Sequence, residues 1–256
     1  VLDRLRAEGV EILEEAPAES VSGAAGAVTV QTAKGAVTGS HLLVAVGRAV
    51  NVDKLNLEAA GVDHDRRGVK VDDRLRSSNR RVYAVGDAAG GLQFTHVAGY
   101  HAGVIVRSML FGLPAKARTD HIPRATYTDP ELAQVGLTEA EARKAHGDRL
   151  TVVRADYAGN DRAIAEGRTT GFIKVMVVRG KPVGAAIVGA QAGELISLWA
   201  LAIASGLKMS AISGMVAPYP TLMELNKRAA GAYFSPKLFE NPTVKKVVRF
   251  IQRTLP

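Results

Sequence analysis

The chain has 256 residues, of which 47% are hydrophobic, so it fits one or two globular units and is not a disordered chain. It contains no cysteine, which excludes disulfides and thiolate metal ligands, and we expect a cytoplasmic protein without a metal site. The formal net charge is +8, but the cations are scattered and only 5% of residues are aromatic. We therefore expect no nucleic-acid partner.

The first 44 residues are predicted to form a short helix followed by extended segments. The helix is placed at residues 2 to 8 and a strand at residues 10 to 13. A hairpin is predicted to pair residues 28 to 32 with residues 36 to 38, because β-branched residues recur in both runs.

The next region is predicted to contain a strand that ends at a candidate ligand site. After a short extended piece at residues 69 to 71, residues 82 to 85 form a β-branched and aromatic run that stops at Gly86 and Asp87. Gly86 lets a ligand approach the strand end closely, and Asp87 can accept hydrogen bonds from sugar-like hydroxyls. An ordinary turn is the alternative interpretation of this Gly-Asp pair.

A helix is predicted to follow, from His96 to about Phe111, with Gly112 and Pro114 ending it. Its first turn offers unpaired backbone N–H groups, which together with the helix dipole favour a nearby negative charge. His101 is interpreted as an ordinary residue of the helix face.

Residues from about 119 onward are predicted to form an α+β unit that could fold alone. Thr138 and Glu141 form a capping box for a helix that Gly147 ends. Two apolar runs, at residues 172 to 178 and 183 to 188, predict an antiparallel hairpin. A long helix at residues 193 to 205 is expected to be buried, with inward side chains Leu195, Ile196, Trp199 and Ile203.

Three ordered blocks resemble the flavoprotein disulfide reductases, the class I pyridine nucleotide-disulfide oxidoreductases. The blocks are residues 41 to 48, followed by Asn51 and Leu55; residues 81 to 87; and residues 127 to 131, followed by 135 to 139. The resemblance covers nearly the whole chain. It implies that residues 41 to 48 include a strand that carries the chain from a nicotinamide domain back into a flavin domain.

The resemblance implies an α/β fold: an incomplete doubly wound FAD/NAD(P)-binding portion followed by an α+β C-terminal dimerisation domain. The implied divisions are residues 1–44, the tail of the NAD(P)-binding domain; 45–118, the C-terminal part of the FAD-binding domain; and 119–256, the dimerisation domain. FAD and NAD(P)H are the implied cofactors, and a homodimer through residues 119–256 is the implied assembly. The candidate cofactor-binding residues are Gly47, Arg48, Gly86, Asp87, Thr95, His96 and Ala98.

The family's two Gly-rich dinucleotide turns and its redox-active cysteine pair are not found in this sequence. The chain also begins at Val1 rather than at a methionine. We therefore expect it to be the C-terminal portion of a longer FAD- and NAD(P)H-dependent oxidoreductase and to be inactive alone. The alternative hypothesis is a non-catalytic dimerisation module.

The segment at residues 217 to 224 contains the two candidate catalytic residues, Tyr219 and Glu224. In the lipoamide and glutathione branches of the family, a histidine that exchanges protons with a thiol stands at the position of Tyr219, and a carboxylate follows it. A tyrosine has a pKa near 10, so at neutral pH it is a hydrogen-bond donor rather than a proton shuttle. The pattern resembles the mercuric-reductase-like branch. The alternative is that Tyr219 fills an interface pocket between Pro218 and Pro220.

The C-terminal residues 244 to 253 alternate cations and aliphatic residues at helical spacing. Such a helix could lie on a membrane surface, but docking of its apolar face on the protein is the commoner use and is what we expect. The longest apolar stretch, residues 195 to 207, is too short to span a bilayer. We accordingly expect no membrane partner.

Overall fold

A computed structural model of the chain describes residues 1–254. The helices are α1 (Leu2–Ala7), α2 (Thr95–Ile105), α3 (Glu139–His146), α4 (Asp161–Ala165), α5 (Ala192–Ala204), α6 (Met209–Ser213), α7 (Met223–Ala232) and α8 (Pro242–Thr254). The strands are β1 (Ala18–Ala24), β2 (Ala27–Thr32), β3 (Gly35–Gly39), β4 (His64–Asp65), β5 (Gly68–Val69), β6 (Arg124–Thr126), β7 (Glu131–Gly136), β8 (Leu150–Asp156), β9 (Phe172–Val178) and β10 (Lys181–Gly189). The predicted class, an α/β portion followed by an α+β unit, is confirmed.

The first region, residues 1–118, contains an antiparallel sheet in the order β1-β2-β3 and a small ladder of β4 with β5. The predicted hairpin is confirmed as β2 and β3, and the first helix is confirmed as α1. The predicted strand at residues 10 to 13 is wrong, because no neighbouring strand among residues 1–254 hydrogen bonds to it. Strand β1 was missed because its small and polar residues are all exposed and carry no alternating pattern.

Two strands predicted between residues 41 and 85 do not form among the described residues. Residues 41 to 48 form no hydrogen-bonded strand, with Leu43 88% and Val46 90% exposed. In the run at residues 82 to 85, Tyr83 forms a single bridge with Arg76, flanked by two backbone hydrogen bonds to residues 75 and 77. A strand requires a hydrogen-bonded neighbour, and an apolar sequence does not by itself supply one.

The second region, from residue 119 onward, is built on a five-stranded antiparallel sheet in the order β6-β7-β10-β9-β8. The predicted hairpin is confirmed as β9 and β10. Helix α5 packs on β7 and β10, whereas α7 packs on β8 and β9. One hydrophobic core joins the sheet to both helices.

The side chain of Trp199 lies at the centre of this core and is fully buried. Its Nε1 donates a hydrogen bond of 2.7 Å to Oδ1 of Asn226, and Nδ2 of Asn226 donates to the Leu195 carbonyl at 3.1 Å. These bonds satisfy the buried polar groups and connect α5 with α7. The predicted burial of Leu195, Ile196 and Trp199 is confirmed, whereas Ile203 is only half-buried.

The two predicted helix features at the surface have different outcomes. The capping box of α3 is present, since Thr138 and Glu141 bond reciprocally and α3 ends at Gly147. The predicted docking of the C-terminal helix is wrong for residues 1–254, because no residue of α8 is buried. None of the helices within these residues combines the length and the hydropathy that crossing a bilayer needs.

Candidate functional site

The Gly-Asp turn predicted from the sequence packs against the start of α2. Gly86 opens a 3₁₀ turn, Gly86–Ala89, with a φ of 60°. A Cβ at Gly86 would lie 2.8 Å from the Cβ of Ala98, which is closer than two carbon atoms can approach. Glycine is therefore required both by the backbone conformation and by the close approach of α2.

His101, one turn further along α2, also holds this turn. Its Nδ1 accepts a hydrogen bond of 3.2 Å from the backbone N–H of Gly86. Burial lowers the pKa of the His101 imidazole, which keeps the ring neutral and leaves Nδ1 free to accept. The sequence interpretation of His101 as an ordinary helix-face residue is corrected, because the side chain is buried and bonded to the candidate site.

Asp87 and the first turn of α2 leave polar groups open to a ligand. Asp87 is exposed, and its carboxylate forms no hydrogen bond or salt bridge with any residue among 1–254. No side chain caps the start of α2, where Phe94 is the N-cap and the exposed Thr95 opens the helix. A carboxylate acceptor and backbone N–H donors thus remain available in one neighbourhood.

Arg48 and His96 fasten the same neighbourhood to other segments. Nη1 of Arg48 donates to the Gln93 carbonyl at 2.9 Å, two residues before α2 begins. Nε2 of His96 lies 2.8 Å from the Pro123 carbonyl, and it must carry the proton because a carbonyl only accepts. The His96 side chain therefore connects α2 to the second region. Gly47, the remaining candidate, is exposed with a φ of 124°.

A cavity of about 550 Å³ lies beside this neighbourhood. It is lined by residues on both sides of the region boundary, including Phe94, Thr119, Arg124 and Glu141. Asp87 is not among its lining residues. The candidate flavin residues thus surround the start of α2 and not this cavity.

Tyr219 lies at an exposed surface of the second region, with 71% of the residue accessible. Its hydroxyl donates a hydrogen bond of 3.0 Å to Oδ2 of Asp161, at the start of α4. This bond, with the negative charges of Asp161 and Glu224, raises the pKa of the Tyr219 phenol. The phenol therefore keeps its proton at neutral pH and remains a donor.

Glu224 is half-buried in the first turn of α7 and has no hydrogen-bond or ion-pair partner among residues 1–254. It lines a separate shallow cavity with Ser213, Lys227 and Arg228. The carboxylate bonded to Tyr219 is thus Asp161, which the sequence analysis missed. No local signal could have identified it, since 58 residues separate the two side chains.

Asn160 fixes the relative positions of Tyr219 and Asp161. The buried amide accepts the Ala163 N–H at 2.9 Å and donates to the Thr221 carbonyl at 3.1 Å. The first bond caps α4, and the second ties α4 to the segment that carries Tyr219. Across residues 1–254, no cluster of three His, Cys, Asp or Glu side chains could hold a metal ion.

Comparison with known proteins identifies two matching family descriptions. Residues 1–102 match "Pyridine nucleotide-disulphide oxidoreductase", and residues 122–230 match its dimerisation domain. Among curated relatives, a mercuric reductase of Acidithiobacillus ferrooxidans is 37% identical over 89% of this chain and 42% of the relative. A dihydrolipoyl dehydrogenase of Bacillus subtilis is 37% identical over 90% of this chain and 50% of the relative.

Solved structures with the same fold carry related descriptions. LpdA from Mycobacterium tuberculosis superposes with a TM-score of 0.82 at 27% identity, covering 90% of this chain and 50% of that structure. The Cu(II) complex of the HOCl-induced flavoprotein disulfide reductase RclA from Escherichia coli gives 0.81 at 27% identity, covering 90% and 53%. The chain spans about half the length, or less, of the curated relatives it matches. It belongs to the pyridine nucleotide-disulphide oxidoreductases, the FAD- and NAD(P)H-dependent family that the sequence resembles.

Proposed function

We propose that this chain supplies part of the flavin site and the dimer interface of an FAD-dependent NAD(P)H oxidoreductase. The observation that carries the flavin assignment is the unpaired, exposed carboxylate of Asp87 beside a side-chain-free residue and an uncapped helix start. The region divisions at residues 44 and 118 belong to the same proposal.

These residues suit a flavin. The Asp87 carboxylate can accept hydrogen bonds from ribityl hydroxyls, and the N–H groups of the first turn of α2 favour negative charge on a nearby ring edge. When bound, FAD would pass reducing equivalents from NAD(P)H to an acceptor. Gly47 and Arg48 border the site, Gly86 and Ala98 set the spacing between the turn and α2, and Thr95 and His96 present the helix start.

The second region would form the homodimer contact. It has a complete core, and it still exposes large apolar side chains that include Tyr127 and Val216. Apolar groups left exposed on a well-packed unit are typical of an association surface. The match of residues 122–230 to a dimerisation domain supports this assignment.

Tyr219 and Glu224 would serve the acceptor side of the reaction. The Tyr219 phenol keeps its proton, and it can exchange its bond to Asp161 for a hydrogen bond to the acceptor or to an atom bound to the acceptor, while Glu224 supplies negative charge nearby. Tyrosine cannot replace a histidine as proton shuttle at neutral pH, so we propose an acceptor other than a thiol that needs imidazole. A metal ion, as in the name mercuric reductase, is one such acceptor class.

Flavin retention tests the first assignment. In the full natural protein, Asp87→Ala should weaken FAD binding by about tenfold to a hundredfold, since one charge-assisted hydrogen bond contributes roughly 1.5–3 kcal/mol. Flavin absorbance per polypeptide after dialysis measures the effect, and Asp148→Ala, at an exposed turn, serves as the matched control. Unchanged flavin content in Asp87→Ala would remove the assignment.

Acceptor turnover tests the second assignment. Tyr219→Phe keeps the ring but loses the donor, and it should lower turnover about tenfold while leaving flavin content unchanged. Reduction of Hg(II), Cu(II) and lipoamide by NAD(P)H should be compared with the control Tyr233→Phe, which removes a half-buried hydroxyl that has no hydrogen-bond partner among residues 1–254. Equal turnover of Tyr219→Phe and the unmodified protein with every acceptor would return Tyr219 to a packing role.

A non-catalytic dimerisation module is the second candidate, favoured by the complete core of the second region. Mixing the chain with FAD separates the candidates. A yellow stoichiometric complex supports the flavin site, whereas a colourless dimer on a sizing column supports the module.

A further inference from the structure

Helix α8 has two opposed faces. At 100° per residue, its aliphatic residues fall within an arc of roughly 100°, and its cations fall on the opposite side. The aliphatic residues are Val244, Val247, Val248 and Ile251, and the cations are Lys245, Lys246, Arg249 and Arg253. The helix contains no Asp or Glu. We call these eight residues the α8 surface.

The apolar side of the α8 surface is uncovered. No residue of α8 is buried among residues 1–254, although Val244 is half-buried, and Phe250, which lies between the aliphatic arc and the cations, is 67% exposed. The π-helical turn before α8 adds two further exposed apolar side chains, Leu238 and Phe239. An apolar stripe of this size is unfavourable in water and indicates a binding partner.

The α8 surface lies outside the residues that match the dimerisation domain. The match to the dimerisation domain ends at residue 230, and α8 begins at Pro242. A second copy of α8 would also bring four more cations to the same surface, and each whole chain already carries a formal charge of +8. Charge repulsion therefore disfavours a second copy, and the occupant must be anionic as well as apolar.

We propose that the α8 surface binds an anionic lipid bilayer, with the helix lying in the plane of the interface. The aliphatic arc would enter the acyl boundary, and the lysine and arginine side chains would extend to the lipid phosphates. At about 1.5 Å per residue the helix is roughly 20 Å long, which is too short to cross the hydrocarbon layer. A bilayer supplies apolar and anionic groups along the whole length of the helix. A protein groove would need acidic and apolar residues placed to match both faces of α8, so we favour the bilayer.

Vesicle co-sedimentation of the full 256-residue chain tests this proposal. Vesicles of phosphatidylcholine with phosphatidylglycerol should bind at least tenfold more tightly than vesicles of phosphatidylcholine alone, because each cation near an anionic surface strengthens binding by about fivefold. Binding should weaken as salt concentration rises. Equal binding to both vesicle types, or no binding to either, would overturn the proposal.

Two variants separate the two faces of the helix. Lys245→Glu with Arg249→Glu should lower binding to the anionic vesicles by at least tenfold, and so should Val248→Asp with Ile251→Asp. Arg80→Glu with Arg81→Glu makes the same charge change at an exposed turn, and it should change binding by less than about threefold. Because α8 has no buried residue, circular dichroism should show the rest of the fold intact in all three variants. If the control variant loses as much binding as the α8 variants, the binding depends on the net charge of the chain and not on α8, and the proposal is overturned.

Fluorescence gives a separate measure of insertion. The native Trp199 is fully buried, so its emission should not respond to vesicles, and Ile251→Trp adds a reporter inside the aliphatic arc. Its emission should shift to shorter wavelength with anionic vesicles and not with neutral ones. An unshifted emission, or a chain that dimerises through α8 or binds only an acidic protein in place of vesicles, contradicts a lipid surface as the partner.

Discussion

The two regions of the chain differ in how completely they satisfy their own packing. Residues 122–230 contain one continuous core that joins a five-stranded sheet to α5 and α7. Residues 1–118 have two smaller clusters, one around Val52 and Val69 and one around Leu75 and Val104, while Leu43 and Val46 are exposed. The comparison shows that a paired sheet covered by helices gathers apolar side chains into one continuous core, whereas segments with few paired strands form only small separate clusters.

The difference has a consequence for function. The candidate flavin residues lie in the loosely packed region, and they are held by single hydrogen bonds such as Gly86 to His101 and His96 to Pro123. The proposed dimer surface lies on the region with the complete core. When a ligand binds to a weakly stabilised segment, it raises the local stability of that segment, because it binds only the folded form. FAD binding should therefore raise the local stability of the first region more than that of the second.

The largest effect is expected from Trp199→Ala in the core of the second region. Removing a fully buried indole and its bond to Asn226 should lower the free energy of unfolding by about 3–5 kcal/mol. Leu201→Ala, on the exposed side of the same helix, should change it by less than about 1 kcal/mol. Urea unfolding followed by circular dichroism measures both variants. Similar losses would mean that the second region does not unfold as one packed unit.

A smaller effect is expected from Gly86→Ala in the first region. The new Cβ meets Ala98 at 2.8 Å and the φ is positive, so we expect a loss of about 2–4 kcal/mol in the local stability of α2. Gly91→Ala also has a positive φ but no atom within 4 Å, and it should cost only about 1 kcal/mol. Hydrogen exchange at residues 95 to 105 measures both. Equal protection in the two variants would show that the contact with Ala98 does not hold α2.

Local patterns were sufficient for the elements that stabilise themselves. The capping box of Thr138 and Glu141 and the β9-β10 hairpin were predicted because their partners are close in sequence. The inward side of α5 followed from its apolar composition. The strand predicted within residues 41 to 48 failed because a strand depends on neighbours that a local pattern does not specify, and residues 82 to 85 form only a single bridge.

The site was predictable only in part for the same reason. Gly86 and Asp87 were identified from a strand end, but the bond from Gly86 to His101 spans 15 residues and the bond from Tyr219 to Asp161 spans 58. Neither His101 nor Asp161 has neighbours in the sequence that distinguish it from an ordinary surface residue. Resemblance to a family indicated the carboxylate Glu224, and tertiary packing brought Asp161 to the phenol instead.

The smallest effect is a pH dependence at the Gly86 turn. Burial lowers the pKa of His101 below its ordinary value of 6.5, so its contribution to folding is present above pH 6.5 and is lost as the pH falls through the lowered pKa. Protonation also removes the Nδ1 acceptor of the Gly86 N–H. The protection factor of the Gly86 amide should therefore fall as the solution is acidified. In His101→Gln this step should disappear, whereas the exposed control His41→Gln should keep it, and a step retained without His101 would assign the titration to another group.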